Sequence, residues 1–513
     1  MKKMGKKETM PGVAGMLALV AAAVPVSAFA ATGAGKNGDI GSRKDDKRQH
    51  PNILLICPED NGVYYGCYGY DVETPNVDAL AKSGVRFERA FCPQAGSSPG
   101  RACFLTGLYP HQNGQVGLST WSYSMYREDT PNIINSLKAA GYHTGMVGKL
   151  HVNPESAFDI DWHKINEGNF AREGLERYAG YSKEFISQCG NDPFYLQVNF
   201  PDTHLPFKAQ VDGVPETVLT MDDVEAFPFL GVTSETMRKA TANYLNCVRR
   251  LDHYVGELIK VLEECGKMDN TLIIYLADHG VEMLRSKMTA YDQGLRIPMI
   301  ICWPGHALEN YTYEGIVSGL DIYPTVLEAA GLDIPGYLPG KSLLGAITGK
   351  HFRNRKYFVA EYNSHYNKVP YPQRSVRTRR YHLIWNPLHG TVNPHIAAAV
   401  PRMTDSLDFA RALSEASQEV QEAYKTTYCP PEFELYDLEN DPHEFVNIAY
   451  DPEYTRMRNK MMRRLVQWQE KTKDAFLDMT LARKFFNDVL EQGDDRSVFP
   501  YRDYMDPHVD FSK

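Results

Sequence analysis

The stretch Ser97-Ser98-Pro99-Gly100-Arg101-Ala102-Cys103-Phe104-Leu105-Thr106-Gly107 places a hydroxyl and a guanidinium four residues apart. Pro99 suits the first turn of a helix, where its missing N–H is not needed. Ser97 then sits just before that helix, where free backbone N–H groups favour anions. Arg101 lies about one turn further on, so its planar fork can return to the same anion. Leu105-Thr106-Gly107 supplies a buried anchor and a helix stop. This is the chemistry of a nucleophile and a cation beside a helix N-terminus. A capping serine and a surface arginine give the same pattern, and the stretch alone does not decide between them.

Further polar groups follow short apolar runs. Asn52–Cys57 leads to Glu59 and Asp60, Thr144–Val147 to Lys149 and His151, Phe194–Phe200 to His204, and Thr271–Ala277 to Asp278 and His279. Each run reads as a buried strand, and Pro298–Cys302 is a fifth. Val85–Phe91 alternates like a strand and leads into the Ser97 stretch. Helical patterns lie between them, at Thr74–Ala81, Asn132–Ala140, Ser234–Cys265 and Asp321–Gly331. Strands alternating with helices predict an α/β fold with a mostly parallel, doubly wound sheet. Ligands bind such sheets outside the C-terminal ends of the strands, so the polar groups are expected to converge.

Converged, they supply Glu59, Asp60, Asp278 and His279 as metal ligands. Arg101, Lys149 and Lys287 are the cations, and His151 and His204 the proton-transfer candidates. Adjacent carboxylates at Glu59 and Asp60 are costly unless something positive binds them, although a solvated turn has the same sequence. Oxygen ligands suit calcium, whereas the imidazole of His279 better suits zinc or manganese.

The chain has 513 residues, enough for a large domain and a smaller one. Its 43% hydrophobic and 23% charged residues are ordinary for a soluble globular protein. A net charge of -9 argues against a nucleic-acid partner and leaves room for a local basic pocket. Lys2, Lys3, Lys6 and Lys7 precede an apolar run from Val13 to Val26 and the small-residue site Ala28-Phe29-Ala30. Residues 1–30 therefore read as a secretory signal and residues 31–50 as a flexible linker. The apolar run is short and broken by Pro25, so no stable membrane insertion is expected. The expected location is periplasmic or secreted. Nine scattered cysteines, with no CxxC pair, do not support a zinc ribbon or redox motif. The character of the chain changes near Tyr371. A catalytic domain over 51–370 and a smaller C-terminal α+β domain over 371–513 are expected. The latter holds antiparallel strands at Tyr381–Trp385 and Phe433–Tyr436 and a helix from Tyr454 to Lys471. From about Leu477 no periodicity is clear.

The order Ser97, Pro99, Arg101, a hydrophobic pair and Thr106-Gly107 resembles the signature of the sulfatase family. Gly100 departs from the serine usual before the arginine. The resemblance extends to Asn52–Asp60, Thr74–Asp78, Gly148–His151, Asp278–Gly280, Leu338–Leu343 and Glu434–Glu444. His111–Gly114, Gly148–His151 and Tyr371–Val376 make it closest to the heparan N-sulfatases, or sulfamidases. Glu59 stands where aspartate is usual, and His279 where asparagine is common. The resemblance implies an alkaline phosphatase-like fold and an enzyme that hydrolyses a sulfate ester or sulfamate. It implies that Ser97 is oxidised to formylglycine by an anaerobic-type maturing enzyme. It also implies one divalent metal, calcium by preference, on Glu59, Asp60, Ser97, Asp278 and His279. One hydroxyl of the aldehyde hydrate would attack sulfur, with Arg101, Lys149 and Lys287 stabilising the charge. His204 would protonate the leaving atom and His151 would help release sulfate, or the two could exchange roles. The expected substrate is a sulfated glycan of glycosaminoglycan type, N-sulfoglucosamine first. His365 and Arg374, near the domain junction, could read a sugar's carboxylate or sulfate, or be structural. The alternatives are an O-sulfatase on another polysaccharide, a phosphonate or phosphodiester hydrolase, and a non-catalytic sulfoglycan-binding protein.

Overall fold

The computed structural model describes residues 50–496 and 500–513. The expected signal peptide, and the linker up to residue 49, lie outside the described residues. Strands β1 (Asn52–Ile56), β2 (Val85–Phe91), β3 (His143–Val147), β4 (Trp162–Lys164) and β5 (Phe194–Val198) are followed by β6 (Thr271–Leu276), β7 (Arg296–Ile297), β8 (Met299–Cys302) and β9 (Tyr311–Ser318). They form one sheet in the order β4-β3-β5-β1-β6-β8-β2-β7, with β9 also beside β2. Alternate side chains of β1 enter two different cores. Ile53 and Leu55 pack with Phe104, Leu137 and Val326 from helices on one face; Leu54 and Ile56 pack with Phe185, Leu251 and Leu258 from helices on the other. Helices on both faces are what make the central strands almost wholly apolar.

The sheet is parallel-rich but mixed. β4, β3, β5, β1 and β6 are parallel neighbours, whereas β8 is antiparallel to β6 and β2 is antiparallel to β8. A parallel return normally needs a crossover helix, and between β6 and β8 the chain has only the four-residue helix Asp292–Leu295. Two antiparallel steps restore the direction of β6 in β2. The C-terminal ends of β3, β5, β1, β6 and β2 therefore lie on one edge. Neighbouring strands are about 4.8 Å apart, so their polar ends are forced together.

A second, antiparallel sheet has the order β10 (Phe358–Tyr362), β11 (Gln373–Arg377), β12 (Tyr381–Trp385) and β13 (Phe433–Asp437). The boundary expected at residue 370 thus falls inside this sheet, between β10 and β11. His50–Lys513 forms a single compact unit. Three helices, His395–Met403, Ser406–Glu415 and Gln418–Tyr428, are inserted between β12 and β13. The helix Thr455–Thr472 packs Met461, Leu465 and Trp468 on this sheet. The stretch beyond Leu477, read as aperiodic, contains the helix Met479–Gln492. Asp478 caps it, and Ala482, Phe485 and Val489 form its buried stripe.

Arg374 of β11 corrects an expectation. It does not reach the polar edge; it is fully buried and forks onto Asp474 at 2.7 and 2.8 Å, with a further bond to Asn363 at 3.0 Å. Arg377 is likewise paired with Asp292. Burial opposes the charge on Asp474, but the Arg374 guanidinium outweighs it and holds the carboxyl well below its usual range. Asp474→Asn is expected to cost about 3–5 kcal/mol at pH 7, because it leaves a buried arginine uncompensated. A depressed carboxylate stabilises above its unfolded pKa and loses that contribution in acid. The gap between wild type and variant in urea unfolding should therefore narrow below about pH 4.

Candidate active site

The helix expected to carry the nucleophile runs from Ser97 to Thr106, with Gly96 as its N-cap and Gly107, at φ +70°, as its C-cap. Ser97 is thus the first helical residue rather than the one before it. Gly100 has a steric cause: a Cβ there would lie 2.3 Å from the carbonyl oxygen of Asp278. The helix seats directly on the backbone at the end of β6. Arg101, one turn on and fully buried, donates from Nε to Asp278 Oδ2 at 3.2 Å and from Nη1 to the Lys149 carbonyl at 3.3 Å.

The ends of β1 and β6 supply the buried acids. Asp60, at φ +52°, donates its backbone N–H to Asp278 Oδ1 at 3.0 Å. The same oxygen accepts from the His279 backbone at 2.9 Å. Asp60 Oδ1 lies 3.0 Å from His279 Nε2, which is 3.2 Å from Ser97 Oγ. Lys287 Nζ bridges Asp60 Oδ2 at 2.7 Å and Glu282 Oε2 at 2.9 Å. Lys149 Nζ is 2.7 Å from Glu59 Oε2, with Arg101 Nη2 at 3.7 Å from the other oxygen. His204 Nε2 faces Glu282 and Asp60 at 3.7 and 3.9 Å. His151, at φ +62°, is half-buried, and among the described residues its Nδ1 has no hydrogen-bond partner. Asp and His are among the non-glycine residues that enter left-handed backbone most readily. The geometry thus brings together Ser97, Arg101, Lys149, His151, His204, Lys287, Glu59, Asp60, Asp278 and His279. His365, almost fully buried, stands beside Gly96 at the start of the nucleophile helix. Arg374 is absent from the cluster.

The protonation states follow from the packing. Burial works against the charge on Asp60 and Asp278. Lys287, His204 and His279 outweigh it for Asp60, and His279 and Arg101 for Asp278, so both stay below the ordinary carboxylate range. Burial alone would lower His279, but Asp278 and Asp60 outweigh it and raise its pKa. Burial, then the charges of Lys149 and Arg101, push His151 well below its ordinary value and keep it neutral.

Two groups here can hold a metal ion: Asp60, Asp278 and His279, and Glu59, Asp60 and His204. Ligand atoms within each group lie within 4.8 Å of one another. Among the described residues Glu59 Oε2 and Asp60 Oδ1 are buried carboxylate oxygens with no well-formed hydrogen bond, only a cationic nitrogen nearby. Unsatisfied buried anions at a shared site are what a divalent cation stabilises. The donors fit one, and its binding would displace a proton from His279. Glu59 is the loosest member of the expected set, because its carboxylate turns toward Lys149 and Arg101.

A family model described as Sulfatase matches residues 51–332, more than half of the chain. The chain belongs to the sulfatase family. A second model, described as N-sulphoglucosamine sulphohydrolase, C-terminal, matches residues 280–389. An ulvan-active sulfatase of Formosa agariphila is 30% identical over 432 residues, which cover 82% of this chain and 80% of that protein. Human N-sulphoglucosamine sulphohydrolase is 27% identical, with 83% and 91% covered. The solved structure of yidJ from Bacteroides fragilis aligns with a TM-score of 0.67 and 23% identity, covering 86% of this chain and 99% of that one. The sulfatase is a sulfuric ester or sulfamate hydrolase on an alkaline phosphatase-like fold.

Several residues around the sulfatase site carried no signal in the sequence. Glu282 is fully buried between Lys287 and His204, and Arg402, from the inserted helices, reaches it at 2.6 Å. Asp202 is buried and clamped by Arg250 at 2.7 Å and Arg172 at 3.0 Å, and Arg172 also donates to the His204 carbonyl. Phe170 packs at a tilt against His204, ring centroids 4.5 Å apart, with the Lys149 ammonium 4.9 Å from its ring. Asp202 and Glu282 stood within three residues of His204 and His279, which were already singled out. Gly100→Ala is expected to push the nucleophile helix off the Asp278 carbonyl and lower stability by about 1–3 kcal/mol. Chemical unfolding measures it; an unchanged midpoint would contradict the seating.

Proposed function

We propose that this sulfatase is an exported enzyme that removes sulfate from a glycan, with N-sulfoglucosamine as the first candidate substrate. The observation that carries the reading is Ser97 Oγ at the start of a buried helix, 3.2 Å from His279 and in one cluster with Arg101, Lys149 and Lys287. The match of residues 280–389 to the C-terminal region of N-sulphoglucosamine sulphohydrolases supports the substrate. The ulvan-active relative keeps other sulfated polysaccharides as the second choice. Among the described residues no helix is long and apolar enough to cross a membrane; the signal-like N-terminus supports export to the periplasm or beyond.

The residues divide the work as follows. Ser97, oxidised to formylglycine by an anaerobic-type maturing enzyme, supplies the attacking hydroxyl as its aldehyde hydrate. Asp60, Asp278 and His279, with Glu59 and residue 97, would hold a divalent cation, Ca2+ by preference, which draws charge from sulfate oxygens. Arg101, Lys149 and Lys287 orient the sulfate and stabilise the charge that builds on the sulfuryl group. His204, flanked by Glu282 and Asp60, gives a proton to the departing oxygen or nitrogen. His151, kept neutral by burial and by Lys149 and Arg101, accepts the proton of the second hydroxyl.

Matured protein is expected to release sulfate from N-sulfoglucosamine faster than from glucosamine 6-O-sulfate. His204→Ala should lower kcat on that sugar by roughly 10²–10⁴ and far less on an aryl sulfate, whose phenolate leaves without a proton. Equal losses on both substrates would remove His204 as the acid. No release from any sulfated sugar, with an active aryl sulfatase in hand, would overturn the glycan reading.

A further inference from the structure

The nucleophile helix begins at the active site and ends at Gly107. Ten residues at 1.5 Å each carry the chain about 15 Å away. Just past that end, Tyr109 forms part of the wall of an open cleft of about 400 Å³, whose lining residues include none of the catalytic cluster. Lys341, Arg353, Arg355, Lys356 and Lys471 line it, and among the described residues no Asp or Glu does. Arg355 is neutralised by Asp321, with both contacts at 2.7 Å. Lys341, Arg353, Lys356 and Lys471 are exposed, and among the described residues none of their side chains has an ion-pair partner within 4.0 Å.

Four unpaired cations on one cleft are unusual for a chain with a net charge of -9. The cost is visible locally. Partial burial, then the charge of Arg355, with Arg353 and Lys471 adding to it, hold Lys341 below its ordinary pKa against the pull of Asp321. The helix Thr455–Thr472, which contributes Lys471, carries Arg456, Arg458, Lys460, Arg463 and Arg464 against a single acid, Glu470. Arg464 lies 5.1 Å from the ring of Tyr357, itself a wall of the cleft. The basic surface therefore extends beyond the cleft along the helix. Such a field concentrates a polyanion.

We propose that this cleft binds a sulfate-bearing polysaccharide chain and anchors polymeric substrate away from the catalytic site. The class of ligand, though not the cleft's affinity for anions, rests on the glycan-sulfatase reading. Lysine and arginine side chains meet the sulfates, while the amides of Asn354 and Gln467 can meet sugar hydroxyls. Single-stranded nucleic acid needs exposed aromatic faces on which bases stack. Here Trp468, Tyr109 and Phe358 are more than nine-tenths buried, and Arg464 lies over the ring of the half-buried Tyr357, so the cleft offers cations and edges rather than a stacking platform.

The test compares matured full-length protein with Lys341→Glu/Arg353→Glu/Lys471→Glu and with the milder Lys341→Gln/Arg353→Gln/Lys471→Gln. Each is titrated with a heparin oligosaccharide at low and high salt, and each is assayed on an aryl sulfate. The Glu variant should bind heparin at least ~10-fold more weakly, the Gln variant by an intermediate factor, and both with a shallower salt dependence. Thermal midpoints and aryl sulfate turnover should stay at the wild-type level. Wild-type heparin affinity in either folded variant would overturn the proposal. So would duplex DNA of matched charge that binds as tightly and loses affinity in the same variants. A protein with no sulfatase activity but variant-sensitive heparin binding would sink the glycan-sulfatase reading and leave the cleft. Full activity with variant-insensitive binding would sink the cleft alone.

Discussion

Asp60 is a buried carboxylate beside three others, Glu59, Asp278 and Glu282, and the rest of the structure depends on keeping that group charged. Each buried ion costs several kcal/mol of desolvation unless partners are in place. The partners come from distant parts of the chain. Lys287 and His279 reach Asp60 from the segment after β6, Arg101 reaches Asp278 from the nucleophile helix, and Lys149 reaches Glu59 from the turn after β3. Each charge is met from another part of the chain, so the sheet edge is an electrostatic unit as well as a geometric one.

That requirement explains the second sheet. The segment carrying Glu282 and Lys287 has almost no secondary structure of its own and is held from behind. Arg285, fully buried, donates to the Ala423 carbonyl at 3.1 Å, to Thr427 at 2.9 Å and to the Glu444 carbonyl at 2.5 Å. Glu444 also accepts from the Asp292 backbone at 2.8 Å and pairs with His382 of β12. The inserted helices and the C-terminal sheet thus brace the loop that presents Lys287. Arg374 belongs to this bracing, through Asp474, and the network of His111 and Glu361 continues it to the segment after the nucleophile helix.

What was legible in the sequence follows from what is local. Apolar runs ending in Asp, His or Lys marked β1, β3, β5 and β6 and their active ends, because strand burial and polar termini are written in consecutive residues. The direction of β8 was not legible, since it depends on the chain between β6 and β8 lacking a crossover helix rather than on Met299–Cys302 itself. β10 was missed beside the more obvious shift near Tyr371. Arg374 reads in sequence like any polar strand residue; its partner lies 100 residues on. Glu282 and Arg402 acquire meaning only once folding brings them to Lys287. Gly100 looked like a departure from a pattern until the Asp278 carbonyl supplied its cause.

The proposed chemistry requires that the group at the start of the nucleophile helix be a modified serine, served by the charges converging on it. The direct measurement is the mass of the peptide spanning residue 97, taken from protein made alongside an anaerobic-type maturing enzyme. A mass about two units below that of the serine peptide is the predicted result, since oxidation to the aldehyde removes two hydrogens. An unmodified serine in protein that nevertheless turns over sulfated sugars would contradict the account.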